Sequence, residues 1–144
     1  MNMSGSGHTL ADVTCDITVE CTDERGIRHE IATVLGYRST DPFAVAMTFV
    51  TPEGDLVWTF GRDLLIRGVA GPAGDGDVHV SPALSLTGRA MVSIELSSPD
   101  GHLVLHASAA DVQDFLARSA AVVAPGTESD YFDVDMLINQ VLAS

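Results

Sequence analysis

DPFAVAMTFVTPEGDLVWTFGRDLL, residues 41–65, is the stretch on which the reading of this chain turns. Asp41-Pro42 is a turn signal, residues 43–50 form an apolar β-rich run, Thr51-Pro52-Glu53-Gly54-Asp55 is a connection, and residues 56–60 form a second run. Turn residues between two such runs predict a hairpin, and Arg62-Asp63-Leu64-Leu65 then opens a short helix. Phe43, Phe49, Trp58 and Phe60 are half of the chain's aromatic residues, which comprise one Trp, two Tyr and five Phe. Aromatic side chains bury the most surface each, so the main core is expected here, with the rest packing onto the hairpin.

Upstream, Ala11, Val13, Cys15, Ile17, Val19 and Cys21 alternate with Asp12, Thr14, Asp16, Thr18 and Glu20. A period of two over this length predicts a strand with one buried face and one wet, acidic face. Residues 22–26 are a turn, and 29–37 read as its partner strand. Cys15 and Cys21 share the buried face roughly 20 Å apart, beyond disulfide or common-ligand reach, which makes them core thiols.

Downstream, the helix over 62–68 is expected to stop at Gly68 and Gly71. A glycine-rich loop over 71–76 leads to a short strand over 77–81, and strands over 89–96 and 102–107 flank the turn Ser97-Ser98-Pro99-Asp100-Gly101. Ser108 is placed to cap a helix carrying Val112, Phe115, Leu116 and Ser119 on one face. Residues 123–128 break that helix. Asp133 then caps a last one, in which Val134, Leu137, Ile138, Val141 and Leu142 form an apolar stripe. The sum is an α+β single domain over 9–144, after a flexible terminus at 1–8. It has a strongly twisted antiparallel sheet of about seven strands and two to three helices.

The chain has 144 residues, 46% of them hydrophobic, enough to bury a core without metals or disulfides. Twenty acidic residues face seven basic ones, all Arg, for a net charge of −13. That balance repels phosphate backbones and anionic lipid surfaces, so free nucleic acid is not an expected partner. No apolar run is long enough to cross a membrane, and the start, MNMSGSGH, lacks the basic and apolar regions of a secretory signal; the cytoplasm is the expected location.

The chemistry-bearing motifs of enzymes are missing: no G-x-S-x-G, P-loop, H-E-x-x-H or C-x-x-C occurs. Asp75, Asp77 and His79 sit at alternate positions, as metal ligands would, yet read better as a solvated edge. The 71–76 loop lacks the lysine of a phosphate cradle and carries repelling aspartates, so it reads as a turn needing positive φ. His102 and His106 lie about 13 Å apart on a strand, too far to share a metal. His8 and His29 have no evident catalytic partner. Trp58 could stack on a base, but its alternation with Leu56 and Phe60 makes it a core or interface residue. No cofactor, metal or catalytic residue is expected, and binding or assembly is the better reading.

Five stretches then act together: Asp41-Pro42-Phe43-Ala44-Val45; Trp58-Thr59-Phe60-Gly61-Arg62-Asp63-Leu64-Leu65; Gly74-Asp75-Gly76-Asp77-Val78; Leu96-Ser97-Ser98-Pro99-Asp100-Gly101; and Pro125-Gly126-Thr127-Glu128 with Phe132-Asp133. In order and spacing they resemble the SsgA-like family of actinobacterial sporulation and cell-division regulators. The resemblance implies a non-enzymatic regulator of septation at division septa and a Whirly-like fold assembled as a homotrimer. It also implies as partners SsgA-like paralogues and the tubulin-like protein FtsZ, which the SsgB-type branch recruits.

Two surfaces are candidates. The connection Pro125, Gly126, Thr127 and Glu128 is the expected partner contact, because loops on a rigid scaffold carry binding and a Gly exposes backbone. The alternative is that Gly126 only closes the preceding helix. Trp58 with Val134, Leu137, Ile138 and Val141 is the expected oligomer contact, since an apolar helix face must be covered. The competing function, single-stranded nucleic-acid binding, rests on the Whirly-like fold alone.

Overall fold

The computed structural model describes residues 11–23, 25–132 and 134–143. The expected mobile terminus at 1–8, His8 and the Asp133 cap lie outside them. Strands β1 (Val13–Thr22), β2 (Arg28–Arg38), β3 (Asp41–Thr51) and β4 (Gly54–Gly61) lead to helix α1 (Arg62–Ala70). Strands β5 (Ala73–Asp75), β6 (Val78–Leu84), β7 (Ala90–Ser98) and β8 (Gly101–Ser108) follow. Helix α2 (Ala109–Val122), a 3-10 turn (Glu128–Tyr131) and helix α3 (Val134–Ala143) complete the described chain.

The eight strands form one curled antiparallel sheet in the order β4-β3-β2-β1-β8-β7-β6-β5. It is two four-stranded meanders joined between β1 and β8, where only Glu20 and Cys21 pair, with His106 and Leu105. Helices α1 and α2 cover one face, α1 against β5 and β6, α2 against β1, β7 and β8. Alternation decides which face is inward. Val13, Ile17, Val19 and Cys21 of β1, Leu35 and Tyr37 of β2, and Val45, Met47 and Phe49 of β3 meet Leu65, Val112 and Phe115 from the helices in one core.

The structure changes the expected picture in four places. The 43–60 hairpin exists, with Thr51 paired to Gly54 across a two-residue turn, but it forms an edge of the sheet. Phe49 and Phe60 are buried, Trp58 is half-buried, and Phe43 is 51% exposed, packing edge-on against Phe132. The sheet has eight strands because part of the glycine loop, Ala73–Asp75, pairs with β6 across a turn where Gly76 has φ 59°. Gly68 does not stop α1: the helix runs through it to Ala70, and Gly71 follows with its N–H bonded to the Arg67 carbonyl. Ser108 stands at the N-cap of α2 without a side-chain cap bond.

Candidate functional site

Helix α1 begins directly where β4 ends, so its first residue points into the angle between the sheet and α2. That residue is Arg62, which is 0% exposed. A buried guanidinium must find acceptors, because an uncompensated charge in the core costs several kcal/mol. Its Nη1 donates to the Val123 carbonyl at 2.7 Å, to the Ser119 carbonyl at 3.2 Å and to Ser119 Oγ at 3.4 Å. These carbonyls end α2, where the negative pole of the helix favours a cation. The guanidinium carbon lies 4.6 Å from the centre of the Tyr37 ring, in cation–π contact. Tyr37 donates its hydroxyl to the Pro42 carbonyl at 2.9 Å, and burial holds its pKa above the ordinary value.

Arg62 Nη2 reaches Glu128 Oε2 at 2.8 Å, while Glu128 Oε1 accepts the Gly126 N–H at 2.9 Å. The bond from Arg62, helped by backbone donors of Glu128 and Gly126, holds the Glu128 carboxyl below its usual pKa. The connection between α2 and the 3-10 turn is thereby fixed on both flanks. Between them residues 124–127 make a tight turn: the Thr127 N–H and hydroxyl both bond the Ala124 carbonyl, at 3.0 and 2.6 Å. Gly126 takes φ 93°, which an L side chain rarely adopts. Its place in this turn, beyond Val123 at the end of α2, means that Gly126 does not close the helix.

The four residues expected to meet a partner do share one structure, with Pro125 and Gly126 exposed and Thr127 and Glu128 half-buried. Both Glu128 oxygens are occupied, one by buried Arg62 and one by the Gly126 N–H, which leaves Pro125, Gly126 and Thr127 as the presented edge. The residues expected at an oligomer contact are divided. Trp58 leans on the core from edge strand β4, whereas Val134, Leu137, Ile138 and Val141 of α3 are 54%, 44%, 47% and 62% exposed. Neither Arg62 nor Tyr37 is among the site residues expected from the sequence. The available signal was spacing: Arg62, Leu65 and Gly68 recur every three residues, the buried side of α1.

Among the described residues no three His, Cys, Asp or Glu side chains are set to hold a metal ion. Asp75 ends β5, Asp77 lies in the turn and His79 stands on β6, its ring over Gly74. His102 and His29 pair instead with Glu95 and Asp23. An open groove of about 600 Å³ is lined by Asp16, Glu20, Glu30 and Asp111 together with Arg89 and apolar side chains that include Val34, Val50 and Met91. No helix among the described residues is long and apolar enough to cross a membrane.

Residues 31–128 match the family described as Streptomyces sporulation and cell division protein, SsgA. The sporulation-specific cell division protein SsgB of Streptomyces coelicolor is 39% identical over 132 residues, 91% of this chain and 96% of that protein. SsgB of Kineococcus radiotolerans is 38% identical over 94% of this chain and 83% of its own length. Two solved structures share the fold. One, described with mutations in SsgB that correlate to longitudinal cell division during sporulation of Streptomyces coelicolor, superposes with a TM-score of 0.79 at 38% identity, covering 89% of this chain and 100% of its own. The other, an SsgA-like sporulation-specific cell division protein of Thermobifida fusca, gives 0.80 at 34% identity, covering 96% and 98%.

Proposed function

This chain belongs to the SsgA family of sporulation and cell-division proteins, and on that premise we propose that it is a non-enzymatic scaffold that positions the septum by recruiting FtsZ. The observation that carries the reading is the 124–127 turn: exposed at its tip, yet tied to the core through Val123 and Glu128. A rigid, exposed turn binds without first losing conformational freedom, which is what a docking contact needs. In this reading the protein works in the cytoplasm at division septa.

The apolar stripe of α3 supports assembly of copies into a homotrimer. Val134, Leu137 and Ile138 stand open to water although their spacing gives the helix one apolar side, and that side gains by packing against another copy. Nucleic-acid binding fits the charges poorly. Arg62 is buried, Arg28, Arg67 and Arg118 are paired with carboxylates, and the open groove has four acidic residues against one arginine in its lining.

Light scattering tests both parts. The protein alone is expected to weigh three subunits, and purified FtsZ added to the same sample is expected to shift that mass. Leu137→Asp is expected to reduce the mass to one subunit while the monomer still melts cooperatively, at a lower temperature for loss of the assembly, because Leu137 lies outside the core. An unchanged mass in that variant removes α3 as the contact, and a trimer indifferent to FtsZ assigns the role to a different partner.

A further inference from the structure

We propose that Arg62 and Glu128 are the positioning residues of the partner surface: one buried guanidinium sets the shape in which Pro125, Gly126 and Thr127 are presented. The inference rests on the reading of that turn as the partner contact.

Within 124–127 the two bonds to the Ala124 carbonyl shape the turn. Arg62 ties both of its flanks to the core. Its two Nη atoms lie on one rigid fork; one holds Val123, just before the turn, and the other holds Glu128, just after it. Glu128 passes the constraint on, because its second oxygen accepts the N–H of Gly126 itself. A continuous path therefore runs from the Tyr37 ring through the guanidinium and the carboxylate to the backbone at the exposed tip.

The path also joins two stretches that are 66 residues apart in the chain, the start of α1 and the 125–128 connection.

The chemistry distinguishes positioning from simple support. In Glu128→Gln one of the two oxygens becomes an NH2 donor, so either Arg62 or the Gly126 N–H faces a donor where it now meets an acceptor. In Arg62→Lys a single ammonium replaces the fork, so Val123 and Glu128 are no longer held at a fixed angle. Both variants keep a hydrogen-bonding side chain of similar length, and both are expected to melt cooperatively.

The experiment measures FtsZ binding, cooperative melting and amide exchange over residues 124–128 for the wild type, E128Q, R62K and Pro125→Trp, the last altering the exposed tip alone. The expected result is FtsZ affinity weakened about tenfold in E128Q and R62K, the size of effect that follows loss of one charge-assisted bond, together with faster exchange at Gly126 and Thr127. Pro125→Trp should weaken binding without faster exchange. If Pro125→Trp weakens binding while both E128Q and R62K bind like the wild type, positioning is overturned and the docking turn stands. If E128Q and R62K lose affinity with exchange unchanged, positioning is likewise overturned. If Pro125→Trp binds like the wild type, the docking turn itself is wrong and the positioning role falls with it.

Discussion

Replacing Arg62 with Ala is expected to lower the stability of the fold by about 3–5 kcal/mol, the usual result of removing one partner from a buried ion pair. The change leaves the Val123 carbonyl without its side-chain donor, leaves the Ser119 carbonyl with the Val123 N–H but without the guanidinium, leaves Glu128 without its cation, and opens a cavity over the Tyr37 ring. For a domain of this size the melting temperature should fall by roughly 10 °C or more. Arg67, five residues along the same helix, is the internal comparison. It pairs with Asp63 at 2.8 Å, but the two side chains are 53% and 76% exposed, so Arg67→Ala should change stability by less than about 0.5 kcal/mol. Urea unfolding of the two variants decides the matter. Equal losses would mean that Arg62 is no anchor.

The pH dependence of the same site carries a definite sign. Glu128 has its carboxyl pKa depressed in the fold, chiefly by Arg62. Its contribution is therefore fully present above the ordinary carboxylate value of about 4.3, shrinks as pH falls below that, and is gone below the depressed value. The stability difference between the wild type and E128Q should be flat from pH 7 to about pH 5 and then close. A difference that widens on acidification would contradict the assignment.

Much of this architecture is legible in the sequence, and the failures have physical causes. The alternation of residues 11–21 identified β1 and its inward face because one side of that strand is wet and the other dry. The 43–60 hairpin was equally clear locally, but local pattern carries no information about sheet order, so its place at an edge and the exposure of Phe43 could not be read. Residues 73–75 form a strand only because β6 offers its edge; Ala-Gly-Asp has no β preference of its own. Arg62 was invisible for a related reason. An arginine is assigned to the surface by default, and only α2, whose carbonyl end comes to lie beside it, makes burial feasible. The turn at 125–128 could be located from its Pro and Gly, whereas its coupling to α1 is a product of tertiary structure.

Gly68 shows the same limit, and Gly68→Ala is expected to be clearly destabilising although it adds only one methyl group. A glycine near the end of a helical pattern reads as a stop, yet Gly68 lies inside α1, on the side facing β6. A Cβ there would lie 2.2 Å from Val80 Cγ1, 2.4 Å from Val80 Cβ and 3.1 Å from the Val80 backbone carbon. The last two atoms cannot turn away by a change of rotamer, so α1 must move off the sheet. Ala gains about 1 kcal/mol in helix propensity over Gly. Overpacking should outweigh it, for a net loss of roughly 2–3 kcal/mol. Adding Val80→Ala removes the nearest contact and leaves the Cβ in place, so the double variant should recover only part of that loss, a coupling that a double-mutant cycle measures directly. Gly71→Ala is the counterpart: nothing lies within 4 Å of its Cβ position, and its extended backbone suits any residue, so it should be neutral or slightly stabilising. If Gly68→Ala and Gly71→Ala melt together, α1 does not approach β6 as closely as described, and the start of the helix, with Arg62 on it, is held less firmly than the turn at 124–127 requires.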